Sequence, residues 1–363
     1  MGAVGAYPVQ VASSLPRPKL FMRIGFDCAP LVIPHSPGIR RVVESTLRAL
    51  EARGNVQVVR LAPAANENLR TWRRKGLAIM VREQHLLGLH AFQSAFCAGA
   101  RVPSVQTVHE LSWLHSVSEK RAWKQKLWIA IGRRKAAAVV CATQFSASDY
   151  TGDSQKGPRP TVIPWGVDDV FTAEECAEDR NRLQAWSLND TPFVLSPGGL
   201  RSKKRPADLL RALAQTAPSN PAHAVFTGPP CESWPRLKKL AQDLGLERRV
   251  HYMIDLPDPE LATLYRHAHA TAVISHSEGF ALPVLESLAC GTVPLVTTHS
   301  AQSEVAACHG HGVAGRSQSA LREALSSVLE APQSPNPAGV QHARAFTWDK
   351  TAAGIEKLWE TLI

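Results

Sequence analysis

The chain has 363 residues, 44% of them hydrophobic and 20% charged, with 23 Gly and 26 Pro spread along its length. At roughly 150 residues per domain that describes a globular chain of two domains and excludes disorder, collagen and coiled coil, and no apolar run approaches the roughly 18 residues that span a bilayer. Residues 1–150 hold 21 Lys+Arg against 8 Asp+Glu and residues 151–363 hold 20 against 23, so the whole excess of +10 lies in the first half and points to an anionic partner or to a solvated basic face there.

Gly2, Gly5, Pro8, Pro16 and Pro18 interrupt any periodicity in residues 1–21, which read as a flexible extension with no basic first turn and hence a poor signal peptide. Met22-Arg23-Ile24-Gly25-Phe26-Asp27 then reads as a buried strand, with Met22 as an alternative start. A loop at Pro37-Gly38 and a helix from about Ile39 to Ala52 follow, with Val42, Val43, Leu47 and Leu50 on one face. Further strands are predicted at 56–61, 104–108, 137–141, 161–163, 193–196, 222–227, 249–252, 271–275 and 293–297, and helices at 206–216, 233–244, 258–268, 282–290 and 318–330. Short, continuously apolar strands alternating with helices mean parallel sheets covered on both faces, an α/β chain of two doubly wound units. The acidic, weakly periodic segment Asp168 to Asp190 marks their boundary, and an amphipathic stretch Trp348–Leu362 follows a Pro-rich loop at 332–337. Seven cysteines at 28, 97, 141, 176, 231, 290 and 308 form no CxxC pair, which argues against a disulfide framework or structural zinc and suits a reducing, cytoplasmic setting.

In such sheets ligands lie beyond the carboxyl ends of strands, where helix amino termini point. Three loops at those positions carry chemistry. In Ser277-Glu278-Gly279-Phe280-Ala281-Leu282-Pro283-Val284-Leu285-Glu286, Gly279 lets backbone approach a ligand and Pro283 suits a first helical turn. Two carboxylates eight positions apart around a helix start give hydroxyl acceptors beside backbone N–H groups, the needs of a nucleotide sugar; taken alone, the pair also reads as a cap and a surface residue. In Ser196-Pro197-Gly198-Gly199-Leu200-Arg201-Ser202-Lys203-Lys204-Arg205, glycines at a strand end precede four cations, which fits a phosphate cradle but also a solvated loop, and there is no GxxxxGK[ST]. His109, in Val105-Gln106-Thr107-Val108-His109-Glu110, follows a strand of the first unit, where it could face the same cleft, although among 14 histidines a lone one more often has no catalytic part.

Together these segments resemble family 4 (group 1) of the retaining glycosyltransferases. Glu278 to Glu286 is the E-x7-E pattern of those enzymes. Thr107-Val108-His109-Glu110 is similar to the family's T-V-H-D, Val162-Ile163-Pro164-Trp165-Gly166-Val167-Asp168 to its V-I-P-N-G-V-D, and Ala289-Cys290-Gly291-Thr292-Val293-Pro294 to its A-C-G-x-P-V-V region. Arg23–Asp27 with Gly38-Ile39-Arg40-Arg41 resembles the opening strand, glycine loop and helix, and Phe346-Thr347-Trp348 the start of the closing helix.

The resemblance implies a GT-B architecture, with residues 22–172 as the acceptor domain, 173–345 as the nucleotide-sugar domain and 346–363 as a helix crossing back. It implies that Glu286 binds ribose hydroxyls, that Glu278 binds the transferred sugar, and that the amides of Phe280, Ala281 and Leu282 meet phosphate or sugar beside Gly279. Gly198, Gly199 and Lys204 would hold the diphosphate, Gly38 would approach it, and His109 would touch the donor sugar. The implied reaction is retaining and metal-independent and uses no cofactor. The donor would be a GDP- or UDP-sugar of mannose type, and the acceptor a glycan or lipid-linked acceptor of surface polysaccharide or lipopolysaccharide synthesis.

The chain departs from the pattern in places. Ala281 stands where a second glycine is usual, Ile254 replaces a common glycine, and Arg201, with Lys203 as rival, stands in for the usual arginine of the cation loop. His267/His269 and His309/His311 are spaced i,i+2, wrong for one helix face, so they are not read as metal ligands. A peripheral site at the inner face of the membrane would use Arg73-Arg74-Lys75, Lys120-Arg121, Lys124, Lys126 and Arg133-Arg134-Lys135, with a stripe of Trp123, Leu127, Trp128 and Ile131 that core packing explains equally well. The alternatives are a nucleotide-sugar epimerase on the same plan, and a basic nucleic-acid binder, for which no RRM, KH or zinc-finger signature is present. A dinucleotide oxidoreductase lacks its GxGxxG after the first strand.

Overall fold

The computed structural model describes residues 22–32, 37–64, 67–115, 122–216, 221–331, 333 and 335–363. The extension expected at 1–21, the Lys120-Arg121 cluster and part of the 332–337 loop lie outside them. Among the described residues, two six-stranded parallel sheets form from consecutive halves of the chain. The first holds β1 (Met22–Asp27), β2 (Val56–Leu61), β3 (Gly88–Ala91), β4 (Ser104–Thr107), β5 (Ala138–Cys141) and β6 (Pro160–Val162) in the order β2-β1-β3-β4-β5-β6. The second holds β7 (Phe193–Ser196), β8 (His223–Gly228), β9 (Val250–Ile254), β10 (Ala270–Val273), β11 (Pro294–Thr297) and β12 (His311–Val313) in the order β12-β11-β10-β7-β8-β9. Interior strands β3, β4, β5, β7 and β10 are buried along their whole length, whereas edge strands β2, β6 and β9 show side chains to solvent; burial on both faces is why β5 and β7 read as short apolar runs.

Strand order reverses between β1 and β3 in the first sheet and between β7 and β10 in the second. At such a reversal the connections leave on opposite faces and open a crevice beyond the carboxyl ends of the strands. The loops that leave β7 and β10 are the two glycine-bearing loops singled out by sequence. Ile24 of β1 faces Val58 on one side and Gly88 on the other.

Two expectations change. The first long helix runs Pro37–Arg53 and already includes Pro37 and Gly38, because proline tolerates the first turn, where its missing N–H is not needed. Strands β3 and β12 were not anticipated; in β3, Gly-Leu-His-Ala lacks β-branched residues and is a strand because it is walled in, with a Cβ at Gly88 only 2.2 Å from the Trp359 ring. Within the acidic boundary segment at 168–190 a short helix packs on the second unit. Asp179, at the start of the helix Asp179–Ala185, is buried and accepts from Arg266 Nε (2.7 Å), Arg266 Nη2 (2.8 Å) and Thr263 Oγ1 (2.6 Å), docking that helix on Asp258–His267. Burial works to raise its carboxyl pKa, but Arg266 and Thr263 outweigh it and hold the group far below the ordinary range.

The last helix, Trp348–Leu362, lies against the first sheet and beside Pro37–Arg53. Trp359 is fully buried with its ring 6.3 Å from that of His90, and Arg53 pairs with Glu356 (2.8 Å) and Asp349 (2.7 Å). The crossing between the sheets is held by Val167 N–H to the Phe346 carbonyl (3.1 Å), Trp348 Nε1 to Asp168 (2.6 Å) and Thr351 Oγ1 to the Pro164 carbonyl (2.7 Å). Among the described residues no helix is long and apolar enough to cross a membrane.

Candidate functional site

Beyond β7 the chain turns through Gly198 and Gly199, at φ +88° and +93°, conformations that a side chain would strain. Gly228 at the end of β8 packs on them backbone to backbone, since a Cβ there would lie 2.5 Å from the Gly199 nitrogen. A short turn, Ser202–Lys204, then aims Lys204 back over the glycines, with Nζ 3.3 Å from where a Gly198 Cβ would be. Lys204 Nζ also meets Glu278 Oε1 at 2.9 Å. Burial would raise the Glu278 carboxyl, but Lys204 and Lys203 more than compensate and hold its pKa down at about 2.

Glu278 leaves β10 and leads through Gly279 and Phe280 to Ala281, which caps the helix Leu282–Ala289 in the left-handed region at φ +68°. A non-glycine residue there costs about 1–2 kcal/mol, a strain the buried turn holds in place. At that helix start Pro283 has no N–H and the Val284 N–H is taken by the Ala281 carbonyl at 2.9 Å, which leaves Leu282 as the first N–H of the helix. Lys204 thus joins the glycine turn to Glu278, the carboxylate that precedes this helix start.

From the first sheet, His109 follows β4 and donates Nε2–H to the Phe92 carbonyl at 2.8 Å, which fixes its tautomer, with its ring 6.1 Å from that of Trp165. The two sheets' loops meet here. A Cβ on Gly279 would lie 1.7 Å from the His109 carbonyl oxygen, so only glycine permits this approach. The Gly279 carbonyl accepts from the hydroxyls of Thr143 (2.9 Å) and Ser146 (3.1 Å). Lys203, buried, donates to Glu110 at 2.7 Å, and Ser277 Oγ to the other Glu110 oxygen at 3.3 Å. Glu304 accepts from the backbone N–H of Gln144 and Phe145, both at 2.7 Å, at the start of the helix Gln144–Asp153.

Glu286, one turn into Leu282–Ala289, is buried. One oxygen accepts from Tyr265 Oη at 2.6 Å and the other is held by Arg41 of the helix Pro37–Arg53. Arg41 also binds Asp258, reaches Asp168 at 3.1 Å through Nε, and lies 5.0 Å over the Phe171 ring. A cleft of about 1350 Å³ opens beside it, lined by Arg40, Arg41, Arg48, Asp168, Asp255 and Asp258 among others.

The fold therefore brings His109, Gly198, Gly199, Lys204, Glu278, Gly279, Phe280, Ala281 and Leu282 to one place, with Glu286 a turn beyond. Gly38 is exposed in the first turn of Pro37–Arg53, and Arg201 is exposed at the head of the cation turn. Lys203 is not Arg201's rival for an anion, since its ammonium is committed to Glu110. Sequence reasoning missed Arg41, Asp258 and Glu304, whose partners lie far away in the chain, and Tyr265, whose partner Glu286 is 21 positions on.

Residues 179–342 match the model of the family described as glycosyl transferases group 1. A D-inositol 3-phosphate glycosyltransferase of Corynebacterium glutamicum (strain R) is 30% identical over 288 residues, covering 72% of this chain and 68% of that protein. The chain belongs to the group 1 glycosyl transferases. A second relative of this group, the D-inositol 3-phosphate glycosyltransferase of Corynebacterium jeikeium (strain K411), is 31% identical over 216 residues, which are 55% of this chain and 51% of that protein, so the chain spans about half of that relative's length. Among solved structures, Anabaena HepE in complex with UDP and glucose has a TM-score of 0.76 at 17% identity, over 94% of this chain and 100% of that one. The two facing parallel sheets make the GT-B fold.

Proposed function

We propose that this group 1 glycosyl transferase moves a sugar from a nucleoside diphosphate sugar to an acceptor hydroxyl, with retention and without a metal. The observation that carries the reading is the Lys204–Glu278 pair, set between the β7 and β10 exits at the strand-order reversal and pressed against His109 through Gly279. In that reading the diphosphate lies over Gly198 and Gly199 against the N–H groups of Phe280, Ala281 and Leu282, where Lys204 offsets the charge that grows on the leaving group. Arg201, exposed at the head of the turn, adds a second cation. Glu278, ionised near neutral pH, accepts from hydroxyls of the transferred sugar, and Glu286 from the ribose. With Nε2–H held by the Phe92 carbonyl, the His109 ring is fixed in orientation and meets the donor sugar.

The donor is a UDP- or GDP-sugar, and the UDP and glucose bound by the Anabaena neighbour favour the first. The acceptor is a glycan or lipid-linked acceptor. Helix Ala122–Lys135 supports the lipid-linked form: Trp123 and Leu127 are 62% and 51% exposed beside Lys124 and Lys126, while Trp128 packs on Phe96. The relatives' name favours a second acceptor, an inositol phosphate, which the basic first half also suits. Incubation with UDP-glucose, UDP-galactose and GDP-mannose, with and without these acceptors, tests the reading by product analysis. An α-linked product that needs both donor and acceptor is expected. A β-linked product would contradict retention, and isomerised donor without acceptor would favour an epimerase. Flotation with anionic and neutral vesicles tests docking, and equal recovery from both would refute it.

A further inference from the structure

The proposal that follows rests on the reading of Glu286 as the ribose acceptor. In this structure no ribose can reach it. Its side chain is 6% exposed, and the cleft beside it is lined by Arg41, Asp168 and Asp258 but not by Glu286 itself. Arg41 holds one of its oxygens and Tyr265 the other. The guanidinium belongs to the first sheet's helix, and it binds Glu286 and Asp258 from helices of the second sheet and Asp168 from the crossing segment. The Phe171 ring supports its flat face at 5.0 Å.

We infer that Arg41 is a gate over the donor site, occupying Glu286 while the site holds no nucleoside and surrendering it to the ribose hydroxyls. The geometry spares Arg41 the cost of the exchange, which falls instead on the buried Glu286 as it gives up its cation. Arg41 presents five N–H donors and has three carboxylate partners, so on leaving Glu286 it keeps Asp258 and Asp168 and is never an unpaired buried charge. Glu286 in turn keeps its bond to Tyr265 and exchanges a guanidinium for hydroxyl donors. A gate of this kind lowers apparent donor affinity by the fraction of molecules in which it is open. It also ties donor entry to the contact between the two sheets, because the gating side chain comes from the opposite sheet.

The test uses uncharged nucleosides, so that loss of a cation does not weaken phosphate binding and mask the effect. Uridine, guanosine and adenosine are titrated calorimetrically into the wild type, Arg41→Gln, Arg41→Lys and Glu286→Ala, each checked for a cooperative thermal transition. A gate closed nine times in ten predicts that Arg41→Gln binds its nucleoside about tenfold more tightly than wild type. Arg41→Lys, whose single ammonium cannot bridge three carboxylates, is expected to fall between and decides the matter if the glutamine variant does not fold. Unchanged or weaker binding in the Arg41 variants, with Glu286→Ala weakened, overturns the gate and leaves the ribose reading intact. Binding insensitive to Glu286→Ala overturns both, as does no binding to any variant. Binding seen only in Arg41→Gln would support the gate.

Discussion

Replacing Gly279 with alanine tests whether the closed contact between the two sheets is the working arrangement. The added Cβ would lie 1.7 Å from the His109 carbonyl oxygen, 2.4 Å from its carbon and 3.0 Å from its Cα, all of them backbone. Neither side can give by rotating a side chain. His109 follows directly from β4 and its carbonyl accepts from Ser146 Oγ at 3.0 Å, while Gly279 lies between the buried strand β10 and the cap of Leu282–Ala289. Relief requires the two loops to part by about 1.5 Å to restore ordinary contact. A displacement of about 1 Å in a reacting group costs on the order of a hundredfold in rate. The methyl meets the opposite sheet and not the glycine turn at 198–199, so nucleotide binding is expected to stay within about threefold of wild type. Loss of the Thr143 and Ser146 hydrogen bonds to the Gly279 carbonyl costs about 1 kcal/mol each in stability, a shift of a few degrees. Steady-state transfer kinetics, nucleotide titration and a thermal melt read the three effects separately. A Gly279→Ala enzyme with a transfer rate within about twofold of wild type would refute the reasoning.

Other expectations follow from individual contacts. Glu278 is held near pH 2 against an ordinary value of 4.5, so the stability its pairing contributes is present above pH 4.5 and lost as pH falls toward 2. Melting temperature against pH should therefore lose part of its acid limb in Lys204→Ala, and identical limbs would contradict the pairing. His115 lies 2.6 Å from Asp149, whose hydrogen bond raises the imidazole above 6.5 despite burial. That contribution is full below pH 6.5 and lost as pH rises through the raised value; Asp149→Asn should abolish the shift in an NMR titration of His115. Trp359 is fully buried under β3, and Trp359→Ala should cost about 3–5 kcal/mol in urea unfolding; a cost below about 1 kcal/mol would mean that the last helix does not support the first sheet.

Much of this was legible in the chain because interior parallel strands leave a strong mark. Apolar runs such as Phe193-Val194-Leu195 and Ala138-Val139-Val140-Cys141 are buried on both faces, and they became β7 and β5. Gly-Leu-His-Ala of β3 left no such mark, since its burial is set by Trp359, whose contribution comes from the far end of the chain. Asp179 shows the same limit from the polar side: an acidic residue in an acidic stretch reads as solvated, yet it is buried against Arg266. At the site, the E-x7-E loop and the glycine turn were readable because strand, turn and helix start follow one another in the chain. Arg41 was not, since its bond to Glu286 spans 245 positions. Lys203 and Lys204 are adjacent and chemically identical, and only the turn that sends one to Glu110 and the other to Glu278 separates their tasks.

The most direct test of the central claim is calorimetric titration of UDP, GDP and ADP into the wild type, Lys204→Ala and Glu286→Ala. The account predicts that one of the three binds the wild type and that both substitutions weaken it. Lys204→Ala should lose about 1.5–3 kcal/mol, the worth of a charge-assisted contact to phosphate. Binding that neither substitution alters, or no binding of any nucleotide, would contradict it.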